Sequence, residues 1–512
     1  MLRSTRAVTL LAIAVQAVAF LRTVIIAAAL GVSLDVDAYN LALIAPTFIS
    51  TVIGGWLQVS FVGRYAGLVA IDDKQLASAY RARMLMLVLA CAVIASALCF
   101  AFPEEIMTLF MPESQAGMTA SAASALRVTG WILIPVVIGD FLGLILNSHG
   151  LFFAAALAPF VNALISVALL WLWPSWDLAA LVWTLLIGAI GQFVVIVIAL
   201  RMLRLSYPVF RSGRARSEVR TSLMMALPLV PAIMFANAVS PMVQFRAAEL
   251  GEGAVSIYGY ASRLHSAVTQ ILIIGLGTVL LPHFAALWSR SEKHEIIALL
   301  RKLARATVLV SAYLGLGIYQ MGDLAIGTLL RRGEFNQEMT HQVALIWAVL
   351  SLSLFPFAFG TYIAKLGQAL RQVLLILATA VASFAATLLV TSAGASIQDF
   401  VVICLAPTAA VSATMAVWLI WLRSNFPIRM LLRDIVNAAC RSAVILMPPF
   451  LLDEKLEQLL AGSPELVALL LRGSIFTIVA AVLLWVLGWH RWFLAKSPKP
   501  EELWPPVTKT SA

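Results

Sequence analysis

The sequence predicts an all-α polytopic membrane protein of about 14 transmembrane helices. We expect two six-helix lobes related by an internal repeat, plus two extra C-terminal helices. Three observations predict this fold: an apolar composition, long apolar runs, and self-similarity along the chain. Of the 512 residues, 62% are hydrophobic and 12% are charged, whereas about 25% of residues are charged in soluble domains. Lipid must therefore cover much of the surface.

Apolar runs define the spans, because a helix needs about 20 apolar residues to cross the hydrocarbon core. The first run is too long for the apolar region of a signal peptide. Pro448 and Pro449 interrupt the end of the thirteenth run. The fourteen runs lie near 8–31, 39–63, 84–102, 127–147, 151–173, 178–203, 221–246, 264–288, 305–330, 342–364, 372–393, 398–422, 434–452 and 468–488.

Basic residues orient the chain. They concentrate in the second, sixth, eighth, tenth and twelfth gaps between spans, and the odd-numbered gaps carry few. Cytoplasmic loops are enriched in Lys and Arg. The even-numbered gaps and both termini are therefore predicted to be cytoplasmic. This placement also accounts for the net charge of +10 without a nucleic-acid partner.

The chain resembles itself at an offset of about 220 residues. Leu30-Gly31 corresponds to Leu250-Gly251, 108–119 to 328–340, and Pro135 to Pro356. The offset covers six helices, so both halves have the same topology and an axis along the membrane normal relates them. The predicted domains are lobes at 1–210 and 211–425, two additional transmembrane helices within 426–495, and a cytoplasmic tail at 496–512.

Polar residues inside spans are costly and usually face protein or a water-filled cavity. Most lie on the first helices of each lobe, where a central cavity would be lined. Four prolines in the second and seventh spans predict kinks there: Pro46, Pro228, Pro231 and Pro241. The polar residues are Gln16, Arg22, Asp37, Gln58, Asp140, Asn147, Asn162, Asn237, Gln244, Arg246, Arg263, His265 and Gln270.

Each candidate also has a structural interpretation. Arg22 is either an anion ligand or the ion-pair partner of Asp140 or Asp37. Asp37 is favoured as a helix cap, Arg263 can extend to lipid headgroups, and Asp140 is either a coupling-ion site or structural. The amide of Asn162 fits an interhelical hydrogen bond.

The arginines favour an anionic substrate. Guanidinium groups bind phosphate bidentately and stay charged, so two or three of them on one cavity suit a phosphate-bearing molecule better than a cationic drug. The candidate substrate-binding residues are Arg22, Asp37, Arg263, Arg246 and Asn162, and the candidate coupling or gating residues are Asp140 and Gln58.

No metal-ligand or cofactor pattern is present in the sequence. The four cysteines are far apart, and no nucleotide-binding loop occurs. The predicted outer loops are short and lack a catalytic pattern, which argues against an enzyme such as a glycosyl transferase. We expect the membrane potential or a coupling ion to drive transport, at about 2.3 kcal/mol per charge per 100 mV.

Several stretches carry a family resemblance over residues 1–425. Together they resemble the MurJ (MviN) family of lipid II flippases, within the multidrug/oligosaccharidyl-lipid/polysaccharide exporter superfamily. The most specific stretches are GTVLLP and RGEF. The stretches are Arg22 through Gly31 to Asp37-Ala38-Tyr39 with Pro46, EGAVSIYGYASRL (252–264), GLGTVLLPHFAAL (275–287) and LLRRGEFNQEMT (329–340).

The resemblance implies a transporter of the bacterial cytoplasmic (inner) membrane. It would move an undecaprenyl-diphosphate-linked sugar-peptide to the outer leaflet by alternating access around a basic cavity. The lipid tail would lie in a groove to which the last two helices contribute. Arg22, Asp37 and Arg263 match positions that the family uses in or near the cavity.

The sequence also departs from the family. Thr23 stands where an acid commonly follows the first arginine, Ser50 and Thr51 replace an arginine pair, and Ser262 replaces an acid. A flippase for another isoprenoid-linked glycan, such as an exopolysaccharide repeat unit, is therefore the second candidate. A cation-coupled drug antiporter ranks below both, because such a carrier needs acidic residues for its cationic drugs and Asp140 is the only clear acid within the predicted spans.

Orientation is testable by fusing a reporter to the C-terminus. We expect a cytoplasmic signal, because both termini lie on the side of the basic gaps. Paired alkaline phosphatase and fluorescent-protein fusions measure the side directly. A C-terminus on the outer side would contradict the fourteen-span topology.

Overall fold

The computed structural model describes residues 2–71, 73–109, 115–203, 213–274, 277–370, 372–460 and 462–494. These residues form α-helices and short 3-10 turns, including Gly130–Ile132 and Leu227–Leu229, with no strand among them. The α-helices are α1 (Leu2–Leu30), α2 (Leu34–Ser60), α3 (Val62–Ala70), α4 (Lys74–Ala101), α5 (Pro103–Thr108), α6 (Ala116–Thr129), α7 (Leu133–Ser148), α8 (Phe152–Leu172), α9 (Leu178–Met202), α10 (Gly213–Ala226), α11 (Val230–Asn237), α12 (Val239–Ala248), α13 (Ala254–Ile274), α14 (Gly277–Ser289), α15 (Lys293–Leu330), α16 (Gln337–Ser351), α17 (Leu354–Ala369), α18 (Val373–Ser396), α19 (Phe400–Cys404), α20 (Ala406–Asn425), α21 (Ile428–Leu460), α22 (Glu465–Val486) and α23 (Trp489–Leu494).

The predicted all-α membrane fold is confirmed. Twelve helical stretches in the described part of the chain are long and apolar enough to cross a membrane. The predicted spans at 264–288 and 305–330 lie outside those twelve, and they fall in α13–α14 and α15. The helices are therefore consistent with about fourteen spans.

Prolines divide the seventh span as expected. A proline removes a backbone donor and its ring clashes with the preceding turn. Accordingly, α10 ends before a 3-10 turn that contains Pro228, and α11 has Pro231 in its first turn. The prolines of the thirteenth span do not end their helix: α21 continues through Pro448 and Pro449 to Leu460.

The chain divides into two compact units. Unit 1 comprises Met1–Tyr260, Leu330–Met339 and Ala395–Phe400, and unit 2 comprises Ala261–Leu329, Thr340–Gly394 and Val401–Ala512. The domain boundaries that the sequence suggests, near 211 and 426, stay predictions. The predicted tail at 496–512 lies outside the described residues.

Glycines let neighbouring helices pack closely within each unit. In unit 1, a Cβ at Gly188 of α9 would lie 2.1 Å from Ser166 Oγ of α8. In unit 2, a Cβ at Gly367 of α17 would lie 2.1 Å from the Trp418 ring of α20. Glycine at both positions therefore permits the close helix contacts that membrane bundles use in place of a hydrophobic driving force.

A buried ion pair in unit 2 joins α21 to α22. Arg472 Nε and Nη2 donate to the two carboxylate oxygens of Asp453 at 2.8 and 2.6 Å. Arg472 is 5% exposed and Asp453 1%. Arg472 also donates to the Gln320 carbonyl of α15 at 3.3 Å. The continuation of α21 beyond its prolines places Asp453 where it can bind Arg472.

Replacing Arg472 tests this ion pair. Arg472→Met leaves Asp453 buried without its partner, which costs about 3–5 kcal/mol, whereas replacing both charges with apolar residues is often nearly neutral. We expect the thermal unfolding midpoint in detergent to fall for Arg472→Met and to recover in Arg472→Met/Asp453→Leu. Glu454→Gln, an exposed change in the same turn, is the control. A single variant as stable as this control would show that the pair does not stabilise the fold.

Candidate functional site

Two helix starts in unit 1 cap each other. Asp37 of α2 accepts hydrogen bonds from the backbone nitrogens of Gly253 at 2.6 Å and Ser256 at 2.7 Å, and from the Ser256 hydroxyl. In return, Glu252 Oε1 accepts from the Leu34 nitrogen, at the start of α2, at 3.0 Å. The first N–H groups of a helix lack partners within the helix, and carboxylates also favour this positive end. We call these contacts the reciprocal cap.

Asp37 is the buried member of the reciprocal cap. Asp37 is 0% exposed, and a buried carboxylate is tolerated only when its oxygens are hydrogen-bonded. The interpretation of Asp37 as a cap for its own helix is wrong. Its carboxylate faces α13, and α2 has Ser33 at its N-cap without a side-chain cap hydrogen bond.

The RGEF segment closes over the end of α1. Gly333 has φ +56°, and a Cβ there would lie 2.1 Å from the Ala28 carbonyl oxygen. The nitrogen of Glu334 donates to that oxygen at 3.0 Å. Gly31 also has φ +56°, and its Cβ would lie 2.9 Å from the Glu334 carbonyl oxygen. Both positions therefore require glycine, for the backbone conformation as well as the close approach.

An aromatic pair completes this closure. Tyr260 donates its hydroxyl to the Gly31 carbonyl at 2.8 Å. Its ring meets Phe335 edge-on, with centroids 5.6 Å apart, and Phe335 is 1% exposed. We use "closure" for the reciprocal cap together with the contacts of Gly31, Tyr260 and 333–335. All of these residues belong to unit 1, and the predicted topology puts them on the outer side.

A second set of contacts lies at the other end of α2. Arg64 Nε donates to Glu218 Oε2 at 2.7 Å, and the Tyr80 hydroxyl lies 2.8 Å from Ser222 Oγ. The exposed ion pair contributes about 0–1 kcal/mol, so the buried Tyr80 contact is the firmer one. Nearby, burial and then the charge of Arg81 lower the pKa of His149 below its ordinary value.

Arg22 binds neutral partners in unit 1. Its Nη1 donates to the Tyr39 hydroxyl at 2.6 Å and its Nη2 to the Leu181 carbonyl at 3.1 Å. Its Nε is buried without a hydrogen-bond partner. No carboxylate in the described part of the chain forms an ion pair with Arg22, so the interpretation as a partner of Asp37 or Asp140 is wrong. Asp37 is already occupied by α13.

The residue after Arg22 leaves this charge uncompensated. Thr23 is 7% exposed and its hydroxyl donates within the helix to the Ala19 carbonyl at 3.3 Å. Ser50 and Thr51 likewise donate to the Thr47 carbonyl, at 2.9 and 2.8 Å. These three hydroxyls donate hydrogen bonds within their own helices and add no charge to the site.

The other candidates differ in their surroundings. Asn162 donates to Gln192 Oε1 at 2.8 Å, which fits the interhelical interpretation. Arg246 pairs with Glu249 at 2.7 Å. Asp140 and Gln58 are exposed on unit 1, and neither bonds to another residue that the structure describes. Their coupling or gating roles stay predictions.

Arg263 lies in unit 2. It is half-buried on α13, and its role as a diphosphate ligand stays a prediction. Ser262, which precedes it, accepts a hydrogen bond at its carbonyl from Ser266 Oγ at 2.7 Å.

Unit 2 also contains an apolar groove of about 710 Å³ between α15, α16–α17 and α21. Both small side chains and large apolar ones line it. Residues on its α15 wall are Val308, Ser311, Ala312, Gly315, Leu316 and Tyr319. Its apolar lining suits a lipid chain.

Comparison with known proteins places the chain in a family. The sequence profile described as "Lipid II flippase MurJ" matches residues 26–452. The chain belongs to this family. It is 26% identical over 349 residues to a probable lipid II flippase MurJ of Rhizobium meliloti, covering 66% of the chain and 65% of that protein. It is 28% identical over 217 residues to the lipid II flippase MurJ of Burkholderia cenocepacia, covering 41% and 42%.

The matched part thus spans less than two thirds of each of these two MurJ relatives. Solved structures support the fold over more of the chain. A lipid II flippase MurJ in an inward closed conformation superposes with a TM-score of 0.75 at 19% identity, covering 94% of this chain and 99% of that one. An inward-facing multidrug resistance MATE family transporter of the MOP superfamily gives 0.67 at 15% identity, covering 82% and 95%.

The closure residues of this MurJ family member escaped prediction, apart from Asp37. Glu252, Ser256 and Tyr260 lie in one family stretch, and Gly333 and Phe335 in another. The sequence signal that could have pointed to these residues was therefore the strong family resemblance of the two stretches. No spacing in the sequence indicated that the two stretches contact Gly31 and Asp37.

Removing the Asp37 carboxylate should loosen the start of α13. Loss of a helix cap costs about 0.5–2 kcal/mol, and one or two kcal/mol corresponds to about a 5- to 30-fold change in a local equilibrium. We expect Asp37→Ala to accelerate amide exchange of 253–256 by this factor, measured by hydrogen–deuterium exchange mass spectrometry.

Asp35→Ala is the matched control, because Asp35 lies in the same turn and accepts no hydrogen bond from a described residue. Equal exchange rates in the two variants would show that Asp37 does not hold α13.

Proposed function

We propose that the protein is a flippase that moves a polyprenyl-diphosphate-linked glycan from the inner to the outer leaflet of the bacterial cytoplasmic membrane. Lipid II is the leading substrate, since the family and the relatives above carry that name. The observation that carries the proposal is Arg22, a half-buried guanidinium without a carboxylate partner among the described residues. Such a group binds an anion strongly, because burial strengthens the attraction.

Arg22 and Arg263 are the proposed diphosphate ligands, with Arg246 in a supporting role. A guanidinium presents paired N–H donors that match two phosphate oxygens. Arg246 contributes less in this state, because Glu249 already occupies one of its donors. Asn162 acts by holding α8 to α9 through Gln192.

Alternating access requires the closure to open. In the proposed cycle, Asp37 and Glu252 release the starts of α13 and α2, and the outer side then opens to release the glycan. A change from 1:99 to 99:1 between two states needs about 5.5 kcal/mol. The loss of a few cap hydrogen bonds is of this order, so differential substrate binding can drive it.

The lipid tail is proposed to follow the apolar groove of unit 2. Both termini are proposed to be cytoplasmic, and the membrane potential or a coupling ion supplies the driving force. Moving one charge through the membrane potential is worth about 2.3 kcal/mol per 100 mV. The proposed cycle contains no covalent step, and the protein is proposed to act as a transporter and not as an enzyme.

A flippase for another isoprenoid-linked glycan is the second candidate. The observation that favours it is the neutral bonding of Thr23, Ser50 and Thr51, whose hydroxyls bind their own helices. A site with fewer fixed charges than the family pattern suits a different headgroup. A cation-coupled drug antiporter fits less well, because the buried group with an unpaired donor is Arg22, whereas Asp140 is exposed.

Substitution of the two arginines tests the function. We expect Arg22→Ala and Arg263→Ala each to reduce translocation of fluorescent lipid II in proteoliposomes by at least about tenfold, because a lost charged hydrogen bond costs about 1.5–3 kcal/mol. Arg22→Lys keeps the charge but not the bidentate geometry, and should retain part of the rate.

Arg201→Ala, an exposed change in the last turn of α9, is the control for incorporation and folding. Wild-type rates in both alanine variants would refute the arginine site. Translocation of an exopolysaccharide repeat unit but not lipid II would assign the second candidate.

A further inference from the structure

A cluster of arginines and tryptophans in unit 2 has no part in the site described so far. Arg305 of α15 places its Cζ 4.9 Å from the centroid of the Trp492 ring in α23. Arg441 of α21 lies 4.2 Å from the same ring and 5.1 Å from the Trp489 ring. All three distances are within the range of cation–π interactions. We call these four residues the Arg–Trp cluster.

The cluster carries positive charge that the described residues do not neutralise. The neighbouring carboxylate, Asp434, accepts from Arg301 Nε at 2.7 Å. Arg305 is 6% exposed and its Nε is buried without a hydrogen-bond partner. Neither Arg305 nor Arg441 forms an ion pair with a described residue. Arg305 thus has two guanidinium groups, of Arg301 and Arg441, and one carboxylate, of Asp434, as its charged neighbours, and an unpaired buried charge costs several kcal/mol.

The Arg–Trp cluster lies on the same face of α15 as the apolar groove of unit 2. Arg305, Val308, Ala312, Gly315 and Tyr319 recur at helical spacing on one face of α15, and all but Arg305 line the groove. At 1.5 Å per residue, the distance from Arg305 to Tyr319 is about 21 Å, which is roughly two thirds of the hydrocarbon thickness. The cationic Arg–Trp cluster therefore lies about one helical turn beyond Val308, a residue of the groove lining, along α15. An apolar groove next to cationic groups suits a lipid with an anionic headgroup.

We propose that Arg305 and Arg441 bind the diphosphate of a polyprenyl-linked lipid whose chain lies in this groove. The inference rests on the proposed function and adds a docking site in unit 2 to the Arg22 site of unit 1. The excess of two positive charges matches a diphosphate better than the single charge of a phospholipid phosphodiester. Trp492 contacts both guanidinium groups through its ring, which leaves their N–H edges for phosphate oxygens.

Photocrosslinking tests the docking site. A diazirine-bearing geranylgeranyl diphosphate is the probe, and mass spectrometry maps its attachment to the purified protein in nanodiscs. We expect attachment within 308–319 and 435–450, and at least a fivefold loss in Arg305→Gln and Arg441→Gln. Attachment should persist in Lys302→Gln, an exposed neighbouring cation, and in Arg22→Ala.

Arg441→Gln decides the outcome if Arg305→Gln fails to fold, because Arg441 is only half-buried. Unchanged attachment in a folded Arg441→Gln would overturn the proposal. So would equal displacement of the probe by phosphatidylglycerol, which would assign the docking site to a membrane phospholipid.

The translocation assay separates this inference from the proposed function. Lipid II transport together with arginine-independent attachment would refute the docking site alone. Arginine-dependent attachment without transport of any lipid-linked glycan would refute the proposed function and leave the docking site standing.

Discussion

The buried carboxylate of Asp37 is the constraint on which the closure depends. A carboxylate removed from water needs hydrogen-bond donors, and the first turn of α13 supplies them from Gly253 and Ser256. The same contact satisfies N–H groups that α13 cannot pair internally. Breaking the contact leaves both the carboxylate and these N–H groups without partners unless water reaches them.

Charge satisfaction separates structural from functional residues in this chain. The carboxylates that the structure shows as buried are all paired: Asp37 with α13, Asp434 with Arg301, and Asp453 with Arg472. Arg22 and Arg305, in contrast, each keep a buried Nε without a partner. Uncompensated charge in a membrane protein is costly and marks ligand or ion pathways. In both units, the buried charged group with an unpaired nitrogen is an arginine, which agrees with the proposed anionic lipid substrate.

The sequence predicted the fold because hydrophobic runs and prolines act locally. Span positions and the break near Pro228 depend on neighbouring residues alone. The partners of Asp37 were not predictable in that way, since Gly253 and Ser256 lie 216 and 219 residues away. That separation is close to the proposed repeat offset of about 220 residues, but a repeat predicts similar helix starts and does not predict that they contact each other. The Asp453–Arg472 ion pair beyond the prolines of α21 likewise joins residues on two different helices, which local patterns do not predict.

The most direct test of the flippase account is depletion of the protein in its own cells, with measurement of lipid-linked precursors on each leaflet. The account predicts that lipid II accumulates on the inner leaflet and that the cells lyse, because the cell wall loses its precursor. Normal growth with unchanged lipid II, and loss only of a surface polysaccharide, would contradict lipid II as the substrate.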